Sequence, residues 1–328
     1  MGQDGNSVRR REFLGLAASC GAHLLWVGGG RSPFAFASDV AARDRVVQEE
    51  PWGRLEAVAD GIWALISTPL TGDRTTLCNG GIVAGRDGVV MIEAFATPTG
   101  ARWMAGEARR LTGRAPTHVV LTHFHGDHTG GIGGCPHGSV MRVTAGTRDL
   151  VLQEDAARPP ADATTRAALL ADAELLAPAE ETWLDLGGRR VRVVPRAGHT
   201  PSDVTIEVDE PSVVFCGDLV WNRMFPNYRD AIPSRLARDV RALTRSRETR
   251  YVPGHGPLAD ARDLERYTAL IDDVEAHARR AVEAGRPAAE AAAEYQVPAE
   301  LGEWMTFSPR YHEVAFTAWE RDLTGSPR

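Results

Sequence analysis

The sequence lacks the excess of positive charge that general nucleic-acid-binding proteins carry. Among its 328 residues, 37 are Lys or Arg and 44 are Asp or Glu, which gives a formal net charge of -7. We therefore expect no basic face that would neutralise phosphates, and nucleic acid is not a predicted partner. The sequence also has no internal repeat of short period. Apart from one N-terminal stretch, it has no run long and apolar enough to span a membrane.

Cysteine is scarce, with only four residues in the chain. Cys20 lies in the N-terminal segment, and without it Cys78, Cys135 and Cys216 remain. Because three is an odd number, at least one thiol stays free unless it pairs between two chains. A Cys78–Cys135 disulfide would suit an oxidising compartment, and the sequence leaves the paired and the free form open.

The N-terminal residues have the layout of an export signal. A basic run meets a mostly apolar stretch from Phe13 to Gly30, and Ala35-Phe36-Ala37 offers a cleavage site before Ser38. The pattern Arg10-Arg11-x-Phe13-Leu14 resembles a twin-arginine signal. We predict that residues 1–37 direct export to the periplasm or the exterior and are removed near Ala37-Ser38. An uncleaved anchor is the alternative, because about 18 apolar residues are close to the lower limit for a membrane span.

Three histidines and one aspartate lie within six residues, directly after the apolar run His118–Leu121. This run predicts a buried strand. His123 and His125 are two residues apart, so both face the same side of an extended chain. Asp127 and His128 are adjacent beyond a predicted glycine turn, and they are better placed to serve a second ion.

The pattern His-x-His-x-Asp-His, followed by Thr-Gly-Gly and preceded by an apolar strand, resembles the metallo-β-lactamase fold superfamily of hydrolases. The resemblance implies further ligands downstream, at strand ends flanked by glycine. His199, Asp218 and His255 each follow a glycine at the end of a predicted strand. Order, residue type and context therefore all agree with the resemblance.

The resemblance assigns seven ligands to two ions: His123, His125 and His199 to the first, Asp127, His128 and His255 to the second, and Asp218 to both. Two zinc ions are the expected cofactors, because imidazole and carboxylate ligands suit zinc, and iron or manganese is the alternative. In such a centre a metal-bound hydroxide attacks a carbonyl or a similar group. Asp127 is the expected catalytic residue, which would orient the hydroxide or pass its proton to the leaving group.

Glu93 ends a predicted strand at a position where the family usually has aspartate near the metal site. It is predicted either to hydrogen-bond a metal ligand from behind or to face solvent at the strand end. Candidate substrate-binding residues are Trp221, Arg223 and Tyr228. The family's glutathione-thioester hydrolases hold glutathione with basic and tyrosine residues, and Arg223, Tyr228 and Arg229 are predicted to form either such a cluster or an ordinary surface loop.

The order of predicted elements indicates an α/β (α+β) fold, namely a four-layer αββα metallo-β-lactamase-like sandwich with a C-terminal helical tail. Residues 38–54 are predicted to be an irregular lead-in, residues 55–258 the catalytic domain, and residues 259–328 helices packed on that domain. Residues 153–180 are predicted to form a surface helix with loops, and a rim over the site.

The predicted function is hydrolysis of an ester, lactone, thioester or amide in a small-molecule substrate by a dinuclear zinc centre. Zinc β-lactamase activity is an alternative, which Asp218 disfavours because such enzymes generally lack this aspartate. Cys216 lies two residues before the position of their metal-binding cysteine. Further alternatives are an iron-dependent sulfur or persulfide oxidoreductase of the same fold and a binding module without catalysis. The sequence gives no indication of oligomeric state.

Overall fold

A computed structural model of the chain describes residues 45–67, 72–157 and 166–326. The predicted export signal at 1–37, its cleavage position near Ala37-Ser38 and residues 158–165 of the predicted rim lie outside these ranges. Within the described ranges the chain forms two β-sheets that stack face to face, with helices on both outer faces. This architecture confirms the predicted αββα sandwich.

The strands of the first sheet follow one another in the sheet as they do in the sequence. They are β1 (Val46–Glu50), β2 (Gly53–Ala59), β3 (Ile62–Ser67), β4 (Gly80–Ala84), β5 (Val89–Ile92), β6 (His118–Val120), β7 (Val140–Thr144) and β8 (Glu174–Leu176). Strands β1 to β5 pair antiparallel, whereas β5 to β8 pair parallel. Parallel neighbours require long crossover connections, and helices supply them here.

The helices of this half are α1 (Pro98–Thr112), α2 (Gly126–Thr129), α3 (Ala145–Ala157) and α4 (Arg166–Leu169). Helix α1 begins after Thr97, whose hydroxyl accepts a hydrogen bond from the Gly100 amide (3.2 Å). It ends at Gly113, where φ is +74° and glycine avoids the cost of a left-handed backbone. Its apolar face, with Met104 and Ala108, is buried against the first sheet.

The second sheet comes from the following part of the chain. Its strands are β9 (Thr182–Asp185), β10 (Arg190–Arg196), β11 (Asp203–Val208), β12 (Val213–Trp221) and β13 (Arg250–His255), in the spatial order β13-β12-β11-β10-β9. Strands β9 to β12 are antiparallel, and β13 pairs parallel to β12 after helix α5 (Pro233–Ala242).

The C-terminal segment is helical, as predicted, and packs on the outer face of the second sheet. Its helices are α6 (Ala261–Glu283), α7 (Ala288–Glu294) and α8 (Tyr311–Thr324). Asp260 opens α6 with a capping box, in which the Asp260 and Asp263 side chains each accept a bond from the other's backbone amide. No helix in the described ranges is long and apolar enough to cross a membrane.

The inner faces of the two sheets share one apolar core. Phe215 of β12 lies directly against Gly81 of β4, where a Cβ atom on residue 81 would overlap the Phe215 ring. Other fully buried side chains of this layer are Ile62, Val83, Val90 and Ile92 from the first sheet and Val191, Val193, Val204 and Ile206 from the second. This packing fixes the positions of the strand ends that carry the candidate ligands.

Several sequence-based expectations need correction. The predicted irregular lead-in at 38–54 contains β1, which pairs with β2. The predicted surface stretch 153–180 contains β8, which pairs parallel with β7. Strand β12 does not end at Gly217-Asp218 but continues to Trp221, because Gly217 adopts φ +51° and absorbs a register shift. Of the two forms that the sequence leaves open for Cys78 and Cys135, the structure has the free thiols, as for all cysteines of the described ranges.

Candidate metal centre

Residues 122–131, called the ligand loop because they carry His123, His125, Asp127 and His128, follow β6 and turn directly into the short helix α2. His125 is the residue before this helix, with φ -57° and ψ 148°, and Asp127 and His128 lie in its single turn. The tight turn predicted at Gly126 is therefore a helical turn. Gly131 allows the chain to pass close behind, because a Cβ atom there would overlap the carbonyl oxygens of Ala94 and Thr97.

The first group of side chains comprises His123, His125, His199 and Asp218, all buried. The Nδ1 atom of His125 lies 3.1 Å from Nε2 of His123 and 3.0 Å from Nε2 of His199. Asp218 Oδ2 lies 3.2 Å from Nε2 of His199 and 3.8 Å from Nε2 of His123. One nitrogen from each ring and one carboxylate oxygen thus converge on a single point.

The second group comprises Asp127, His128 and His255, also buried. The Nε2 atom of His255 lies 3.3 Å from Asp127 Oδ2, and that of His128 lies 3.7 Å from the same oxygen. Asp218 joins this group as well, with Oδ1 3.1 Å from Nε2 of His128 and Oδ2 3.4 Å from Nε2 of His255. The carboxylate of Asp218 therefore contacts both groups.

The donor atoms fit divalent metal ions. With zinc–nitrogen bonds of about 2.0–2.1 Å, two nitrogen ligands of one tetrahedral ion lie roughly 3.3 Å apart, close to the spacing in the first group. Both carboxylate oxygens of Asp127 and of Asp218 are buried and have no hydrogen-bond partner among the described residues. Because burial of two neighbouring carboxylates is costly unless positive charge lies beside them, these oxygens indicate a cation between them. The ligand atoms of each group lie within 4.8 Å of one another.

Electrostatics distinguish the two groups. Burial is the main cause that lowers the pKa of His199 to about 3, and it also lowers the pKa of His123 well below its ordinary value. Both rings are therefore neutral near pH 7, the form that binds metal. Burial opposes the charged form of His255 too, but the Asp218 and Asp127 carboxylates outweigh it and raise the pKa of His255 to about 9.

Glu93 lies behind the ligand loop and is buried, so the solvent-facing alternative for this residue is wrong. Its Oε1 atom lies 3.1 Å from His128 Nδ1 and accepts a hydrogen bond from the Thr122 hydroxyl (2.5 Å). Its backbone adopts φ +75°, an uncommon value for a residue with a side chain. A contact on the outer nitrogen of a ligand histidine fixes which ring nitrogen faces the site.

Two residues that hold the ligands were not identified from the sequence. Asp230 Oδ2 lies 3.0 Å from His125 Nε2. Asn79 donates from Nδ2 to the carbonyl oxygens of Pro253 (2.9 Å) and Gly256 (2.8 Å), on both sides of His255. Neither lies in a motif, and both contacts join residues more than 100 positions apart, so no local signal would have revealed them.

The candidate substrate-binding residues lie in different surroundings. Trp221 is buried beside the second group, and its indole ring lies 4.2 Å from the His255 ring, centroid to centroid. Tyr228 is buried in the core formed with the C-terminal helices, whereas Arg223 and Arg229 are exposed, so the three side chains do not form one surface cluster. Of the three candidates, the structure places Trp221 directly against a predicted ligand.

A neighbouring aromatic residue was missed because it lies in the C-terminal tail. The Phe307 ring is half-buried, 5.9 Å from the Trp221 ring and 6.4 Å from the His255 ring. The segment that carries it is held by a backbone hydrogen bond from the Phe225 amide to the Met305 carbonyl (2.8 Å). The tail therefore contributes an apolar wall beside the second group.

Two stacked sheets with a buried cluster of histidines and aspartates at one edge define a metal-binding fold of the hydrolase type. Residues 74–255 match the model of the Metallo-beta-lactamase superfamily, and the chain belongs to this family. Members of this superfamily are mostly metal-dependent hydrolases. The His-x-His-x-Asp-His loop that suggested the resemblance lies within the matched residues.

Solved structures with the same fold share little sequence with the chain. A metallo-beta-lactamase from Pontibacter korlensis is 20% identical with a TM-score of 0.56, over 67% of this chain and 99% of that chain. The metallo-beta-lactamase FIM-1 from Pseudomonas aeruginosa, in a mono-zinc form, is 20% identical with a TM-score of 0.54, over 67% and 95%. An inverting sec-alkylsulfatase from Pseudomonas sp. is 17% identical with a TM-score of 0.63, over 81% and 49%.

Proposed function

We propose that the protein is a hydrolase that holds two divalent ions, zinc first of all, and cleaves an ester, lactone, thioester or amide of a small molecule. The observation that carries this proposal is the position of Asp218, whose carboxylate contacts ligands of both groups. A carboxylate shared between two ligand groups is suited to bridge two ions that lie a few ångströms apart.

Different residues of the chain have different proposed roles in hydrolysis. When bound, the two ions would polarise the substrate oxygen and lower the pKa of bound water to about 7. His123, His125 and His199 would hold the first ion, and Asp127, His128 and His255 would hold the second. Asp127 would also orient the attacking water or pass its proton to the leaving group. Its carboxyl is suited to accept a proton only transiently, because nearby His128 and His255 keep its pKa below the ordinary value despite burial.

The apolar wall that Phe307 forms beside the second group favours a substrate with an apolar or aromatic part. Phe307 offers a half-buried ring next to His255, and Trp221 backs the same histidine from inside. An acyl or alcohol group placed at the second ion would lie against Phe307, where burial of apolar surface stabilises binding by about 25 cal/mol per Å².

β-Lactam hydrolysis remains the first alternative, because metallo-beta-lactamases are among the proteins of the same fold. Cys216 gives it no support. This cysteine is buried, its thiol faces the Val214 carbonyl oxygen (3.5 Å), and it belongs to neither ligand group among the described residues. An iron-dependent oxidoreductase is the second alternative, and a complete set of ligands for two ions counts against it.

The test combines metal analysis with a substrate panel. Protein purified without added metal is assayed with aryl esters, lactones, a thioester, a cephalosporin and a secondary alkyl sulfate. We expect about two zinc ions per chain, with ester, lactone or thioester turnover that Asp127→Ala reduces by at least 100-fold. A cephalosporin as the preferred substrate would establish the alternative, and equal activity of metal-free protein would refute the proposal.

We further propose that the protein acts in the periplasm or outside the cell after twin-arginine export. The support is the motif Arg10-Arg11-x-Phe13-Leu14 and the small residues before Ser38. Replacing both Arg10 and Arg11 with Lys should leave the protein in the cytoplasm at its full length. Unchanged export of that variant, measured by cell fractionation, would contradict the proposal.

A further inference from the structure

The outer nitrogen of His125 has its own carboxylate partner. His125 Nε2 lies 3.0 Å from Oδ2 of Asp230, while Nδ1 of the same ring faces Nε2 of His123 and of His199. One nitrogen thus points into the first group and the other points out of it. Asp230 itself belongs to neither ligand group.

The tautomer of His125 decides whether it can bind an ion through Nδ1. A neutral imidazole carries one N–H, and only the nitrogen without the proton has a lone pair for a metal. A carboxylate at Nε2 accepts a hydrogen bond from Nε2–H, which keeps the proton on that side and leaves Nδ1 free. The same contact fixes the rotation of the ring about its bond to the chain.

Asp230 is held in place by several backbone contacts. The Arg229 amide donates to the Asn227 side-chain oxygen (3.0 Å), and the Ala231 amide donates to the Tyr228 carbonyl (3.1 Å). The Ile232 amide donates to the carbonyl of Gly198, the residue before His199 (2.8 Å). The segment that carries Asp230 is therefore tied to the loop of another ligand.

The C-terminal helix supports the same segment from outside. Arg321 of α8 donates from Nη2 to the carbonyl oxygen of Ala231 (3.1 Å). Asp322 of α8 accepts a hydrogen bond from the amide of Ser234 at the start of α5 (2.8 Å). The tail and the first ligand group are thereby joined through the segment that carries Asp230.

We propose that Asp230 is a positioning residue, which holds His125 in the Nε2–H tautomer so that Nδ1 can bind the first ion. The inference rests on the proposed metal centre but not on any particular substrate. Carboxylate partners of ligand histidines typically change metal affinity by about 10–100-fold when they are removed. Asp230 thus sets metal affinity without touching metal or substrate.

The first experiment measures zinc affinity by competition with a chelator in the full-length protein. We expect Asp230→Ala to weaken binding of the first zinc ion by about 10–100-fold. The zinc affinity of Asp230→Asn should lie between those of wild type and Asp230→Ala, because the amide oxygen accepts the same hydrogen bond but carries no charge. The control is Asp60→Asn, which neutralises a fully exposed carboxylate in the turn between β2 and β3, and we expect less than about threefold change. Equal affinities of wild type and Asp230→Ala would overturn the proposal.

A second readout does not depend on metal. Nitrogen-15 NMR of metal-free protein labelled at histidine reports the tautomer of His125, assigned with a His125→Gln variant. We expect Nε2–H in the wild type and a mixture of tautomers in Asp230→Ala. A wild-type His125 in the Nδ1–H form would refute the role of Asp230 even if zinc binds. If wild type binds no zinc, the proposed function fails, whereas the NMR result still decides whether Asp230 holds the ring.

Discussion

Glu93 Oε1 lies 3.1 Å from Nδ1 of His128, on the side of the ring that faces away from the ligand groups. The opposite nitrogen, Nε2, faces Asp218 Oδ1 at 3.1 Å. The contact between Glu93 and His128 resembles that between Asp230 and His125 in the first group, but only the latter has hydrogen-bond geometry. Each group therefore has a histidine whose outer ring nitrogen faces a carboxylate.

Removal of the Glu93 carboxylate should weaken binding of the second ion more than that of the first, because Glu93 contacts His128 directly but reaches His123 only through Thr122. We expect Glu93→Ala to reduce affinity for the second ion by about 10–100-fold, because His128 loses the partner that orients it. The Thr122 hydroxyl also loses its acceptor, which should cost about 1–3 kcal/mol of folding free energy. Chelator competition and urea unfolding measure the two effects.

Glu93→Gln is the matched control for this change, since it keeps the shape and one acceptor oxygen but loses the charge. An affinity between those of wild type and Glu93→Ala is expected. If both variants retain two tightly bound ions, Glu93 has only a packing role.

Binding of the second ion should depend strongly on pH. The carboxylates of Asp218 and Asp127 raise the pKa of His255 to about 9 against the opposing effect of burial, so His255 is protonated at neutral pH in the metal-free protein. A metal ion must displace that proton. The apparent affinity should therefore rise by up to about tenfold per pH unit below pH 9 for each proton displaced, and should level off above it.

Binding of the first ion should depend less on pH over the same range. The pKa of His199 is about 3, chiefly because of burial, so this ring has no proton to lose between pH 5 and pH 9. Calorimetry at several pH values, in buffers of different protonation enthalpy, measures proton release for each ion. Equal proton release at both ions would contradict the assignment of the two groups.

Truncation of Phe307 should weaken substrate binding more than it slows the chemical step. We expect Phe307→Ala to raise KM for an aryl ester by about 5–50-fold with kcat within about threefold, because a ring in a wall contributes uniform binding. A methyl ester that does not reach the wall serves as the control substrate. A similar change in KM for both esters would show that Phe307 supports the site without contacting the substrate.

Packing between the sheets gives a test of the fold itself. Gly81→Ala places a methyl group into the Phe215 ring and against the Trp63 carbonyl, and we expect a loss of about 1–3 kcal/mol in unfolding free energy. Gly106→Ala is the control, because Gly106 is exposed in α1 with no atom within 4 Å of the added carbon. It should stabilise the protein by about 0.5–1 kcal/mol. Comparable destabilisation by both would contradict the packing described between β4 and β12.

The ligand loop could be predicted because its chemistry is local. Three histidines and an aspartate in six residues, after an apolar strand, specify both a metal site and a family, and the expected ligands at 199, 218 and 255 converge in the structure. The hairpins were predictable for the same reason, since their alternating apolar residues and glycine turns are read within about ten residues.

Other features depended on contacts distant in sequence. Strand β8 is three residues long and mostly exposed, so its sequence carries no strand pattern, and only pairing with β7 defines it. Asp230 meets His125 across 105 positions, and polar residues around it resemble any surface loop. Gly217 suggested a strand end, yet its positive φ lets β12 bulge and continue. Contacts between residues distant in sequence determine all three features.

Metal content of the mature protein and of two histidine variants tests the central claim most directly. Elemental analysis of protein purified without added metal should give about two zinc ions per chain for wild type and for His137→Ala, in which an exposed histidine is removed. His255→Ala should retain about one, because the first group stays intact. One ion in wild type that survives in His255→Ala, or iron with no hydrolysis of any substrate tested, would contradict a dinuclear hydrolase.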